Sequence, residues 1–173
     1  TDWLESSRRH IWRPFTQEAT AAPPLPVARA RGELLYTPEG REIFDGISSW
    51  WVITHGHCHP VIARAIARQA RTLDQAMFAG CTHAPAAELA CALASRLPIH
   101  LNRVFFSDDG STAVEVAMKL AFQFWQNTGQ PERTRLAALE GGYHGDTFGA
   151  MAAGRTSGFF QPFSGKLLPV HFL

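Results

Sequence analysis

The sequence predicts an α/β fold built around a parallel sheet, and two observations carry that prediction. RVFFSDDGSTAVEVAMKLAFQFW (103–125) and LAALEGGYHGDTFGAMAAG (136–154) each pass from a short apolar stretch through a turn of small and acidic residues into helical spacing. LLPVHF (167–172) then supplies a third apolar stretch of strand length. Strand–turn–helix units in series lay parallel strands side by side with helices packed over them. The chain is expected to divide near residue 58, with an arm and hairpin over 1–58 and the first, incomplete part of a larger sheet domain over 59–173.

Composition narrows the function. The 173 residues are 46% hydrophobic and carry 16 Lys plus Arg against 15 Asp plus Glu. This suits a globular fold and lacks the basic excess that draws proteins to nucleic acid or anionic lipid. The N-terminal TDWLESSRRHIWRPF is charged where a secretory leader is apolar, and no apolar run is long enough to span a bilayer. A cytoplasmic protein is expected. Cys58, Cys81 and Cys91 form no CxxC pair, which fits a reducing compartment.

Taken in order, residues 1–30 hold Pro14, Pro23, Pro24 and Pro26 with no sustained period, which predicts an extended arm. ELLYTPEGREIFDG (33–46) has two apolar runs around Pro38, Glu39 and Gly40, which predicts a β-hairpin. From His59 to Leu73 the apolar positions Val61, Ile62, Ala65, Ile66 and Leu73 recur at helical spacing, with Arg64, Arg68 and Arg71 elsewhere on the surface. A second helix is predicted from Pro85 to Leu97, with proline near its start and Pro98 ending it.

Three stretches hold candidate chemistry. SSWWVITHGHCHP (48–60) crowds His55, His57, Cys58 and His59 behind two tryptophans. Neighbouring residues that alternate in direction do not converge on one ion, and no second cluster completes four ligands, so no metal site is expected. Cys58 is taken as an inert small residue. Gly110 and Ser111, at a strand-to-helix junction, place backbone N–H groups and a hydroxyl at the positive end of a helix dipole, which suits a phosphate; the plainer reading makes them a turn and a cap. In GGYHGDT, Gly141, Gly142 and Gly145 let the backbone bend around Tyr143 at the edge where open α/β sheets bind ligands, although a lone tyrosine is more often a packing residue.

Together HIWRPFT (10–16), DGISSWW (45–51), HGHCHP (55–60), AGCTHAP (79–85), DDGSTAVEVAMKLA (108–121) and GGYHGDTFGAM (141–151) resemble, in the same order, the N-terminal portion of class III aminotransferases. The resemblance implies fold-type I, the aspartate-aminotransferase-like fold, with pyridoxal 5'-phosphate as cofactor. DGISSWW and Asp146-Thr147 point within that class to the members that transfer the amino group of S-adenosylmethionine to 8-amino-7-oxononanoate in biotin biosynthesis, as cytoplasmic homodimers. Carried over residue by residue, Gly110 and Ser111 would hold the cofactor phosphate, Tyr143 would lie over the pyridoxal ring near the substrate, and Trp50 would line the substrate pocket. Phe15 stands where the family usually has tyrosine, which keeps an aromatic face and loses a hydroxyl. Asp109 replaces the usual serine beside the phosphate turn and is expected to point outward. If residues 50 and 51 are extended, only one tryptophan need face the substrate, and the other joins the core.

Catalysis in the class needs a Schiff-base lysine. This chain has only Lys119 and Lys166. Lys119 lies about 12 Å along the helix from the phosphate turn at 1.5 Å per residue, and neither lysine matches the family's. The resemblance therefore implies no catalytic residue in this chain, a fragment ending inside the cofactor domain and inactive alone. Two alternatives stay open: another class III enzyme acting on an ω-amino acid, and a non-catalytic binding or assembly module.

Overall fold

The computed structural model describes residues 2–154 and 158–173, with Phe159 described by its backbone alone. The chain forms two compact units, Thr1–Thr82 and His83–Leu173.

The first unit opens with a helix where an extended arm is predicted. In α1 (Trp3–His10) the Asp2 carboxylate accepts the Leu4 N–H at 3.0 Å, and Arg8, Arg9 and His10 fill the last turn. Acceptor at the N-terminus and cations at the C-terminus both complement the helix dipole. Eight mostly polar residues show too few apolar positions for that helix to be visible as a period. The predicted hairpin is present as β2 (Leu34–Tyr36) and β3 (Glu42–Phe44), closed by the Thr37 N–H on the Arg41 carbonyl at 3.0 Å. A third antiparallel strand, β1 (Arg29–Arg31), pairs Ala30 with Leu35 on the far side of β2. The Arg-Ala-Arg sequence gave it no strand signature. Gly32 and His57 exchange backbone hydrogen bonds at 3.0 and 2.7 Å, tying the histidine loop to this sheet.

The two tryptophans lie on α2 (Ser48–Trp51), and this is not the extended segment expected. Ser48, Ser49, Trp50 and Trp51 have φ of 49°, 45°, 64° and 68°, a single left-handed turn. An L-residue there brings its Cβ against the following carbonyl at about 1–2 kcal/mol each, so four in succession cost roughly 4–8 kcal/mol. The inside–outside alternation of a strand no longer applies. Trp51, assigned to the core by that alternation, is 75% exposed. The helix predicted from His59 to Leu73 is present as α3 (Pro60–Thr72), with Pro60 in its first turn.

In the second unit α4 (Ala84–Ala94) follows His83, whose Nδ1 accepts the Ala86 N–H, and ends three residues before Leu97. Helix α5 (Gly110–Asn127), β4 (Leu136–Ala138) and α6 (Phe148–Ala153) follow the predicted order. A 3-10 helix (Gly158–Lys166) leads to β5 (Val170–Phe172). β5 lies parallel to β4, with Leu136 opposite Val170 and Ala138 opposite Phe172. The expected strand at 103–106 is irregular. What core there is centres on α6: Ala150, Met151, Ala152 and Ala153 are buried, with Phe160 beside them.

Candidate active site

In the second unit the phosphate turn is a well-formed helix start. Asp109 is its N-cap: Oδ1 accepts the Thr112 N–H at 2.8 Å and the Ser111 hydroxyl at 2.8 Å, while Thr112 Oγ1 takes the Asp109 N–H at 3.1 Å, which completes a capping box. This corrects the expectation that Asp109 points outward. A carboxylate is an anion, and the unpaired N–H groups of a helix start attract it as they would a phosphate. The same bonds, from Thr112 first and then Ser111, hold the Asp109 carboxyl below its ordinary pKa.

The glycine-rich turn packs directly on that helix start. Gly145 has φ of +112°, and a Cβ there would lie 2.2 Å from the Ser111 Cβ. Glycine is required on both counts. A second tie comes from Glu115, one and a half turns into α5. Its Oε1 accepts the Thr147 hydroxyl at 2.6 Å and the N–H groups of Gly149 at 2.7 Å and Ala150 at 3.3 Å. One carboxylate thus caps the start of α6 from a neighbouring helix, and these bonds, the Thr147 hydroxyl foremost, hold its pKa below the ordinary glutamate value. Gly149 leaves the room, since a Cβ would meet Glu115 at 2.4 Å.

Tyr143 leaves this turn with its ring stacked on Phe160, centroids 6.3 Å apart and planes 16° from parallel. It remains 57% exposed. Its hydroxyl donates to Asp146 Oδ2 at 3.0 Å. Partial burial, then the Asp146 carboxylate, raises the phenol pKa, so Tyr143 stays protonated and a donor.

In the first unit Trp50 stands edge-on to Phe15, centroids 5.6 Å apart and planes at 86°. Asp45 sits under the left-handed turn. Its Oδ1 accepts the Ser49 N–H at 3.0 Å, and its Oδ2 accepts the Ser49 hydroxyl at 2.7 Å and His57 Nε2 at 2.8 Å. The Asp45 and His57 side chains are 6% and 13% exposed. The Ser49 N–H and hydroxyl, and then His57, lower the Asp45 pKa to about 2. Two histidines of this loop have partners other than an ion: His57 meets Asp45, and His55 Nδ1 meets the Thr54 hydroxyl at 2.9 Å, while the buried His59 Nδ1 makes no hydrogen bond among the described residues. Among the described residues no three His, Cys, Asp or Glu side chains converge.

The family profile described as Aminotransferase class-III matches residues 15–173. The chain belongs to the class III aminotransferases. It is 53% identical over 167 residues to the adenosylmethionine-8-amino-7-oxononanoate aminotransferase of Synechococcus elongatus, covering 96% of this chain and 39% of that protein. The namesake from Geobacter sulfurreducens is 41% identical, covering 97% and 37%. Among solved structures, the adenosylmethionine-8-amino-7-oxononanoate aminotransferase of Methanocaldococcus jannaschii superposes with a TM-score of 0.90 at 33% identity, over 98% of this chain and 39% of that one. An amine transaminase from an uncultivated Pseudomonas species, bound to PLP, gives 0.80 at 33% identity, covering 95% and 38%. The chain thus has the fold-type I architecture of pyridoxal-phosphate-dependent transaminases and spans about two fifths of the length of the relatives it matches.

Pyridoxal phosphate is the cofactor of this family, and the second unit fits its phosphate. The start of α5 offers N–H groups and the Ser111 hydroxyl, a Cβ on Gly110 would meet nothing within 4 Å, and the seat is polar enough to draw in Asp109. Gly110, Ser111 and Tyr143 stand in one unit, while Trp50 and Phe15 stand in the other. Asp45, its bond to His57, and Glu115 were missed from sequence. Glu115 had one signal, an acid between Val114 and Val116 on an amphipathic helix; its partners 32 to 35 residues away had none.

Proposed function

We propose that this chain is part of an aminotransferase that transfers the amino group of S-adenosylmethionine to 8-amino-7-oxononanoate, giving 7,8-diaminononanoate. The observation that carries it is the 53% identity, over nearly the whole chain, to a protein of that name. The site residues support it: Gly110 and Ser111 hold the cofactor phosphate, the exposed face of Tyr143 covers the ring, and Trp50 with Phe15 forms an aromatic wall for the substrates. Bound pyridoxal phosphate supplies the electron sink that makes the bond to hydrogen at the amino carbon acidic. The chain's own residues do the rest of what is assigned here. They seat the anion at a helix start, exclude water with aromatic surface, and keep the Tyr143 hydroxyl protonated and aimed by Asp146. Phe15 stacks without offering a hydroxyl. Neither Lys119 nor Lys166 is assigned the covalent role.

The same proposal makes the whole protein a cytoplasmic homodimer. Apolar side chains left open on α5, Leu120 and Phe124, give an assembly surface to bury. Assay of the whole protein with S-adenosylmethionine and 8-amino-7-oxononanoate, against β-alanine and an aliphatic amine as donors, tests the assignment. Turnover with S-adenosylmethionine alone is expected. Preference for the amine or β-alanine would move the protein to the ω-amino acid branch, and binding without turnover by any donor would make it a non-catalytic module.

A further inference from the structure

Four non-glycine residues in succession hold positive φ at Ser48–Trp51, and the carboxylate beneath them bonds both into the turn and outside it. We propose that Asp45 is a positioning residue: by bonding Ser49 on one side and His57 on the other, it holds the left-handed turn and so aims Trp50 at the substrate. This rests on the reading of Trp50 as a substrate-facing residue.

The geometry leaves little else to hold the turn. Its own backbone supplies bonds from Ser48 N–H to the Asp45 carbonyl at 3.1 Å, Trp51 N–H to the Ile47 carbonyl at 2.9 Å and Ile53 N–H to the Ser48 carbonyl at 3.0 Å. The backbone meets the sheet before the turn, where the Asp45 N–H bonds the Glu33 carbonyl at 2.8 Å. The Asp45 side chain adds a tie into the turn itself, because His57 is locked to Gly32 through two backbone bonds and offers its Nε2–H to the same carboxylate that receives Ser49. The chain runs from sheet to His57, to Asp45, to Ser49 and then to Trp50. Trp50 and Trp51 are 56% and 75% exposed, so burial does not fix the strained backbone, and Trp50 has Phe15 as its edge-on neighbour. A strained conformation persists only where its surroundings over-determine it.

The test uses the whole protein with its cofactor. Asp45→Ala is expected to raise the KM for the substrate that Trp50 faces about tenfold, with kcat within about twofold and cofactor absorbance unchanged. It should also weaken the near-ultraviolet circular dichroism band that Trp50→Phe alters, a readout independent of turnover. Adding Ser48→Gly supplies a residue at home at positive φ. The double variant Asp45→Ala/Ser48→Gly is expected to recover at least half of both losses. An unchanged KM and dichroism band in Asp45→Ala would overturn the proposal, and so would loss of both without recovery by Ser48→Gly. If Asp45→Ala does not fold, Ser49→Ala removes only the hydroxyl bond and should raise KM about threefold with the same dichroism change; no change in either overturns the proposal. If Trp50→Ala leaves every KM unaltered while Asp45→Ala still changes the band, the reading of Trp50 fails and Asp45 is shown to hold the turn only.

Discussion

Glu115 on α5 reaches Thr147, 32 residues later, with a 2.6 Å hydrogen bond, and the same oxygen takes the N–H groups of Gly149 and Ala150 in the first turn of α6. This carboxylate joins the helix that starts at the phosphate turn to the segment that carries Tyr143.

Glu115→Ala is therefore expected to destabilise the protein by about 1–3 kcal/mol, since it leaves the N–H groups of buried Gly149 and Ala150 without their acceptor. Urea unfolding measures the loss. Glu115→Gln keeps an acceptor oxygen and should lose less than half as much; equal losses in the two variants would mean that charge, not the bonds, matters.

The pH dependence has a definite sign. Glu115 has its folded pKa below the ordinary glutamate value of 4.5, so its contribution is whole above that value and is lost as pH falls through the lowered one. Asp45 behaves alike, with its contribution lost between 3.8 and about 2. The Glu115→Gln variant should show a flatter fall of stability with acid than the parent, measured as melting temperature from pH 6 to pH 3. Parallel curves would contradict the assignment.

Gly145→Ala is expected to cost roughly 2–4 kcal/mol, through a disfavoured φ and through collision with Ser111. Because the collision falls on the phosphate turn, cofactor retention on dialysis should drop along with stability. Gly141, at φ of 76° with nothing within 4 Å of its missing Cβ, is the control: Gly141→Ala should cost only backbone strain and leave retention intact.

In the proposed site Asp109 shares the helix start with the cofactor phosphate. Asp109→Ser keeps a capping oxygen and removes a negative charge, so affinity for inorganic phosphate or pyridoxal phosphate should rise severalfold, by calorimetric titration. Weaker binding in Asp109→Ser would show that the carboxylate organises the turn more than it repels the ligand.

Tyr143→Phe loses the bond to Asp146 and keeps the stack on Phe160, so substrate KM should rise about fivefold, the equivalent of one hydrogen bond near 1 kcal/mol. Tyr143→Ala, which also removes the ring, should lose cofactor as well. Equal effects from the two variants would place the whole contribution in the hydroxyl.

What could be read without coordinates was local. The β2–β3 hairpin, α3, α5 and the β4–α6 succession follow from apolar spacing, proline placement and turn chemistry, all of which act within a few residues. The helix start at Gly110 and Ser111 and the glycine-rich bend around Tyr143 were visible for the same reason, since both are local events. The helix α1 and strand β1 were not, because their short polar sequences carry no period.

The tertiary structure decided what depends on distant partners. It set the Asp109 carboxylate on the start of α5, because a helix start attracts an anion, and made SSWW a left-handed turn instead of an extended segment. That choice is held by an aspartate bonded across to His57, twelve residues away. It also brought Glu115 to α6 and Gly145 against Ser111, which no spacing along the chain could indicate. Sequence determines which residues favour a turn, a cap or a helix; hydrogen-bond partners separated by tens of residues exist only after the chain has folded.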